Sequence, residues 1–148
     1  MDSKTEVKSM ENKKIKVALL GLGTVGGGVY KLIQRRSESM IHTVGAELEV
    51  AKILVHSLYK KREGVDTELL ESLKADHSVV VTIEDGILDG GFGEKIARFY
   101  GDSDMKVLNY GVRKEFIDRF DVSEQLLKNR LTAPQIVEDI CACTSFAG

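Results

Sequence analysis

Apolar positions along the chain fall into two spacings. Four short segments, Ile15 to Leu20, Leu48 to His56, Ser78 to Glu84 and Lys106 to Gly111, are dense in aliphatic and β-branched residues. They lack the strict polar alternation of a half-solvated strand, which predicts strands covered on both faces, as in a parallel sheet. Between and after them apolar residues recur every three to four positions: Val25, Val29, Leu32 and Ile33; Leu69, Leu70 and Leu73; Phe92, Ile96, Phe99 and Tyr100; Ile136, Val137 and Ile140. That is helical spacing. The first helix is expected to run to about Arg36, with a polar stretch and a turn at Gly45 after it. Asp66 or Thr67 serves to cap the second helix, Ser123 to start a helical turn around Leu126 and Leu127, and Thr132 to Gln135 has the form of a capping box. Pro134, the single proline, falls in that last helix's first turn, where it is tolerated.

Strands alternating with helices predict a single three-layer α/β/α sandwich on a four-stranded parallel sheet, joined by right-handed crossovers. Placing the third strand on the far side of the first gives the order 2-1-3-4. A topological switch point then lies between strands one and three, and both glycine-rich helix starts open into one crevice at the carboxyl edge of the sheet. Residues 1–14 are expected to form a polar tail, 15–140 one domain, and 141–148 a second tail.

Composition narrows the class. The chain has 148 residues, 43% hydrophobic and 30% charged, with a net charge of −2. No basic excess calls for nucleic acid. No apolar run is long enough to span a bilayer, and the polar opening lacks the apolar core of a secretory signal, so a cytoplasmic protein is expected. Cys141 and Cys143 are spaced for neither a loop-closing disulfide nor a zinc site and read as reduced thiols on the terminus. His42, His56 and His77 show no metal-ligand spacing, and no metal is expected.

The candidate chemistry lies in Ile15 to Ile33, IKVALLGLGTVGGGVYKLI. Gly21, Gly23 and Gly26 follow a strand and open a helix, the context in which G-x-G-x-x-G holds a dinucleotide's pyrophosphate on a helix N-terminus. The alternative is a glycine-rich strand-to-helix corner with no ligand. After the second strand, where an acidic residue would select the 2′-hydroxyl of NAD, stand His56, Ser57 and then Lys60, Lys61 and Arg62. These either favour the 2′-phosphate of NADP or form a solvated turn. Glu84 and Asp85, at the end of the third strand, read as a helix-capping turn in preference to an acid/base pair.

Two resemblances follow from these motifs. Residues from about Lys14 to Asp66, above all KVALLGLGTVGGGVYKLI and VAKILVHSLYKKREGVD, resemble the nucleotide-binding βαβ unit of homoserine dehydrogenase. This implies that Gly21, Leu22, Gly23, Thr24, Val25 and Gly26 form a dinucleotide-phosphate loop; His56 stands where that family commonly has an arginine, with Lys60 and Lys61 nearby. From about Thr67 to Ile140, TELLESLKADHSVVVTIEDGILDGGFGEKIARFYG and VLNYGVRKEFIDRFDVSEQLLKNRLTAPQIVEDI resemble the transketolase-type C-terminal domain of 1-deoxy-D-xylulose-5-phosphate synthase. Where many of its members carry a proline and an aspartate, this chain has Val112, Arg113 and Lys114.

The implied whole is a Rossmann-like, transketolase C-terminal-like α/β domain recombined from two enzyme families, folded over an imperfectly packed core. An antiparallel edge strand usual in the second family would have to come from Thr5 to Met10. Neither family's active site is complete. The expected function is therefore a non-catalytic domain with at most weak NADP or NAD binding, and thiamine diphosphate is not expected. The alternatives are a fragment or subunit of homoserine dehydrogenase, an NADPH-linked oxidoreductase, or of the synthase, a transferase, or else a dimerisation module acting as a homodimer.

Overall fold

The computed structural model describes residues 13–21, 24–54, 59–60, 64–115 and 121–144, with backbone alone at 24, 52–54, 59–60, 64–65 and 85. In order the elements are β1 (Lys14–Leu20), α1 (Thr24–Val44), β2 (Glu47–Leu54), β3 (Tyr59–Lys60), β4 (Gly64–Val65), α2 (Thr67–Leu73), β5 (Val79–Ile87), α3 (Phe92–Phe99), β6 (Lys106–Val112), α4 (Val122–Lys128) and α5 (Ala133–Thr144). Four strands form one sheet in the order β2-β1-β5-β6, and β3 and β4 make a small antiparallel ladder of their own. All three pairings in the main sheet are parallel. This is the 2-1-3-4 order read from the sequence, with β1 and β5, the first and third strands of the sheet, side by side.

Alternation along β1 distributes its side chains to two layers. Ile15, Val17 and Leu19 face a core built with Val29 and Ile33 of α1 and Ile136, Val137 and Ile140 of α5. Ala18 and Leu20 face the other, with Leu70 and Leu73 of α2 and Ile96 and Tyr100 of α3. Every one of these side chains is buried. At roughly 1.5–3 kcal/mol for each large apolar side chain removed from water, both layers are needed to hold the sheet. The first layer unites the two segments of unlike resemblance: α1 lies against α5, and a Cβ on Gly28 would stand 3.1 Å from the Cβ of Ala133.

Several element bounds differ from the sequence reading for local reasons. Helix α1 continues to Val44 because Met40 and Val44, four apart, extend the buried stripe of Val29 and Ile33 past the polar Arg35–Glu38 stretch. Gly45 then ends it at φ +77°, its amide donating to the Ile41 carbonyl. Asp66, not Thr67, caps α2, accepting the Leu69 amide at 3.1 Å. Asp121, not Ser123, caps α4, accepting the Glu124 amide at 3.1 Å. Thr132 and Gln135 meet through their side chains at 2.8 Å. Lys14 belongs to β1, and α5 runs through Thr144, so Cys141 and Cys143 sit on a helix against the core, half-buried and with their thiols reduced. Thr5 to Met10, the suggested edge strand, lies outside the described residues.

Candidate functional site

Both glycine-rich corners lie at the carboxyl edge of the sheet, after β1 and after β5, and they are built in opposite ways. At the first, Gly21 has φ +107°, and a Cβ there would stand 2.3 Å from the Ile83 carbonyl oxygen. Only glycine permits both that dihedral and that approach. Gly26, in the first turn of α1, is held as closely: its Cβ would lie 2.3 Å from the Gly21 carbonyl oxygen and 3.7 Å from Ile83 Cδ1. The two glycines thus draw the N-terminus of α1 down onto its own turn and onto β5. Val25 packs against the core beside them. The first turn of α1 contains no acidic residue.

At the second corner Gly90 turns with φ +71° and Gly91 stands at the N-cap of α3 without a side-chain cap of its own. Glu84 supplies one. Its Oε2 accepts the Gly93 amide hydrogen at 2.6 Å, and a Cβ on Gly91 would lie 1.9 Å from its Oε1. A Cβ on Gly111 of β6 would come within 3.0 Å of Glu84 Cγ, so the carboxylate and its stem occupy a cradle that glycines on two sides keep open. Glu94 adds a second carboxylate, accepting the Gly90 amide at 2.8 Å. Beneath them Thr82, fully buried, donates to Asn109 Oδ1 at 2.7 Å, and a Cβ on Gly93 would strike Thr82 Oγ1 at 2.7 Å. The glycines of this corner therefore make room for the chain's own side chains.

Of the residues singled out in the sequence, Gly21, Thr24, Val25 and Gly26 come together at the first corner. Leu22, Gly23, His56 and Lys61 lie outside the described residues, as does the side chain of Lys60, whose backbone is in β3. Glu84 is confirmed as a capping residue; the side chain of Asp85 lies outside the described residues. Glu94 and the Thr82–Asn109 pair were not anticipated. Glu94 had a readable signal, since an acid three residues after Gly91 is at the position from which it reaches back to the preceding turn.

Other polar groups are committed to the scaffold. Asp139 receives the Tyr110 hydroxyl at 2.9 Å and two donors of Arg130 at 2.8 and 3.1 Å, tying β6 to α5 through a residue with φ +55°. At the amino edge of the sheet Lys16 meets Asp76 at 2.9 Å, and Asp76 meets His77 Nδ1 at 2.7 Å. Among the described residues no group of three or more His, Cys, Asp or Glu side chains is placed to hold a metal ion, and no helix is long and apolar enough to cross a membrane.

These features define a class: a parallel α/β domain with a tightly packed glycine corner at its switch point. No family model matches the chain. Homoserine dehydrogenase from Bacillus subtilis is 53% identical over 51 residues, which is 34% of this chain and 12% of that protein. The 1-deoxy-D-xylulose-5-phosphate synthase of Crocosphaera subtropica is 32% identical over 126 residues, 84% of this chain and 18% of that protein. Among solved structures, a split-gene transketolase described as an inactive β4 tetramer superposes with a TM-score of 0.57 at 21% identity, over 91% of this chain and 40% of that one. A homoserine dehydrogenase from S. aureus does so with a TM-score of 0.51 at 26% identity, over 84% of this chain and 31% of that one.

The chain thus carries a mixed resemblance and spans less than a quarter of the curated relatives it matches. The synthase similarity is longer than residues 67–140. It extends into the first βαβ unit, so the two resemblances overlap there and do not simply meet at Asp66.

Proposed function

We propose that the chain is a non-catalytic α/β domain, recombined from two enzyme families, that binds NADP or NAD weakly through the Gly21–Gly26 corner. The observation that carries this reading is the contact of Gly26 with Gly21. It sets the N-terminus of α1, bare of carboxylates, at the switch point of the sheet, where backbone amides and the helix dipole favour a diphosphate. The close helix-to-strand approach at Gly26 fits the third glycine of the fingerprint, and the φ of Gly21 fits the first.

Absence of catalysis is supported by the state of the rim carboxylates. Glu84 and Glu94 already accept backbone amides, so neither is poised to move a substrate proton. Titration of NADPH fluorescence on the full chain tests the reading. A dissociation constant on the order of 1 mM, about 4 kcal/mol of binding free energy, is expected, with no consumption of NADPH when aspartate semialdehyde is added. No saturation, or steady turnover, overturns it.

A second reading, a segment of a synthase-type transferase that acts with further domains or as a dimerisation module, draws on the 84% coverage by the synthase relative and on the exposed Ile87, Val122 and Leu127. Sedimentation as a stable dimer would favour it.

A further inference from the structure

We propose that His77 is a pH-dependent latch at the amino edge of the sheet: on protonation its Nε2–H takes the Asp104 carboxylate as acceptor and draws Asp104 inward. The latch lies at the edge opposite the glycine corners and is independent of the dinucleotide reading. It starts from a buried polar atom with nothing to bond. The His77 side chain is only 6% exposed, and its Nδ1 lies 2.7 Å from Asp76 Oδ1. Hydrogen bonds from Lys16 and then from His77 hold the Asp76 carboxyl below its ordinary range. Asp76 is therefore an ionised group that can only accept, and the ring proton belongs on Nδ1. That leaves Nε2 with its lone pair, buried and without a partner among the described residues.

The strand register sets Asp104 beside it. β5 and β6 pair Val79 with Lys106, and the Lys106 amide, donating to the Ser78 carbonyl, carries the ladder past the strand ends. One more step back along that register aligns His77 with Asp104, and both border a pocket of about 400 Å³ together with Lys74 and Asp102. The charged groups around the ring are thus Asp76 on its own turn, Lys16 on β1, Lys74 after α2, and Asp102 and Asp104 before β6. Both lysines are engaged, Lys16 with Asp76 and Lys74 with Glu71, each at 2.9 Å. Asp102 and Asp104 are exposed, and among the described residues their carboxylates carry no hydrogen bond or ion pair. Neutral His77 does not attract them, since its Nε2 offers only a lone pair. A proton from solvent turns Nε2 into a charged donor, and a buried charged donor left unpaired is costly. Asp104 is the acceptor in register. It stands between two fixed points, Ser103, whose amide and hydroxyl both donate to the Tyr100 carbonyl, and Lys106 on Ser78.

The test is an NMR titration of the full chain over the range in which histidines change charge, about pH 5 to pH 8, following the His77 ring nitrogens and the backbone amides. The ring is expected to carry its proton on Nδ1 at the upper end and on both nitrogens at the lower, with the amides of Asp104 and Met105 moving at the same midpoint. Those amide shifts should vanish in His77→Gln. Because that change is buried, the exposed Asp104→Ala is titrated beside it: the His77 midpoint should fall by about one pH unit, and by clearly less in Asp102→Ala. A ring proton on Nε2 at the upper end overturns the proposal, as does the lack of any His77 transition in the range. So do Asp104 and Met105 amides that ignore the His77 midpoint, or a fall in Asp102→Ala that equals the one in Asp104→Ala.

Discussion

Gly26 closes onto Gly21 so tightly that a Cβ would stand 2.3 Å from the Gly21 carbonyl oxygen. The obstacle is backbone and cannot rotate away. Gly26→Ala must therefore push α1 off its turn, at a cost of about 1–3 kcal/mol typical of overpacking, and NADPH binding should be lost with it. Urea unfolding and NADPH titration of the same variant measure both effects. A variant with unchanged stability would show that the turn is looser than described.

Ile140 on α5 is fully buried in the layer that also holds Val29 and Ile33 of α1. Ile140→Ala should cost about 2–5 kcal/mol. Because the two segments share that layer, unfolding followed on residues 15–54 and on residues 79–140 should stay coincident in both wild type and variant. Two separated transitions would mean that the βαβ segment folds apart from the rest.

Tyr100, buried beneath α2 with its hydroxyl donating to the Leu70 carbonyl at 2.7 Å, has its pKa pushed up from 10.0 to about 12, chiefly by burial. Tyr110 is raised further, by burial first and then by its bond to Asp139. A raised folded-state pKa means that the unfolded chain loses its proton first. Stability should be complete below pH 10 and decline as pH rises through about 12. At the acid end Asp76 is lowered below 3.8 by its hydrogen bonds from Lys16 and then His77. Its contribution holds above pH 3.8 and fades below it, in wild type but not in Asp76→Asn. Melting temperatures across both pH ranges check the two limbs.

Burial pushes the thiols of Cys141 and Cys143 up from 9.0, with Lys106 opposing this in part at Cys143. The thiolate is the reactive form. Alkylation of the native protein at pH 8 should be much slower than in denaturant, and equal rates would contradict the helical placement of both residues on α5.

The sheet order and the layers were legible because β1, β2, β5 and β6 are apolar enough to be read as strands covered on both faces, and the glycine corners mark where each first crossover begins. Less was legible where polar residues overlie a buried stripe. Arg35 to Glu38 hide the continuation of α1 to Met40 and Val44, and the cysteines at the chain end sit on a helix whose apolar face continues from Ile140. Glu84 was readable as part of a helix-capping turn, but not that its carboxylate would fill the space above the second glycine cluster, since GGFG reads alike whether it admits a phosphate or Glu84. What separates those cases is a side chain nine residues upstream, brought over Gly93 only by the β5-to-α3 turn.

The most direct test of the account is an amide map of the chain on addition of NADPH. Saturable shifts confined to the Gly21 to Gly28 corner and its β5 neighbour Ile83, with Gly90 to Glu94 unmoved, are expected from one bare and one self-capped helix start. Shifts centred on Gly90 to Glu94, or none anywhere at millimolar NADPH, would contradict it.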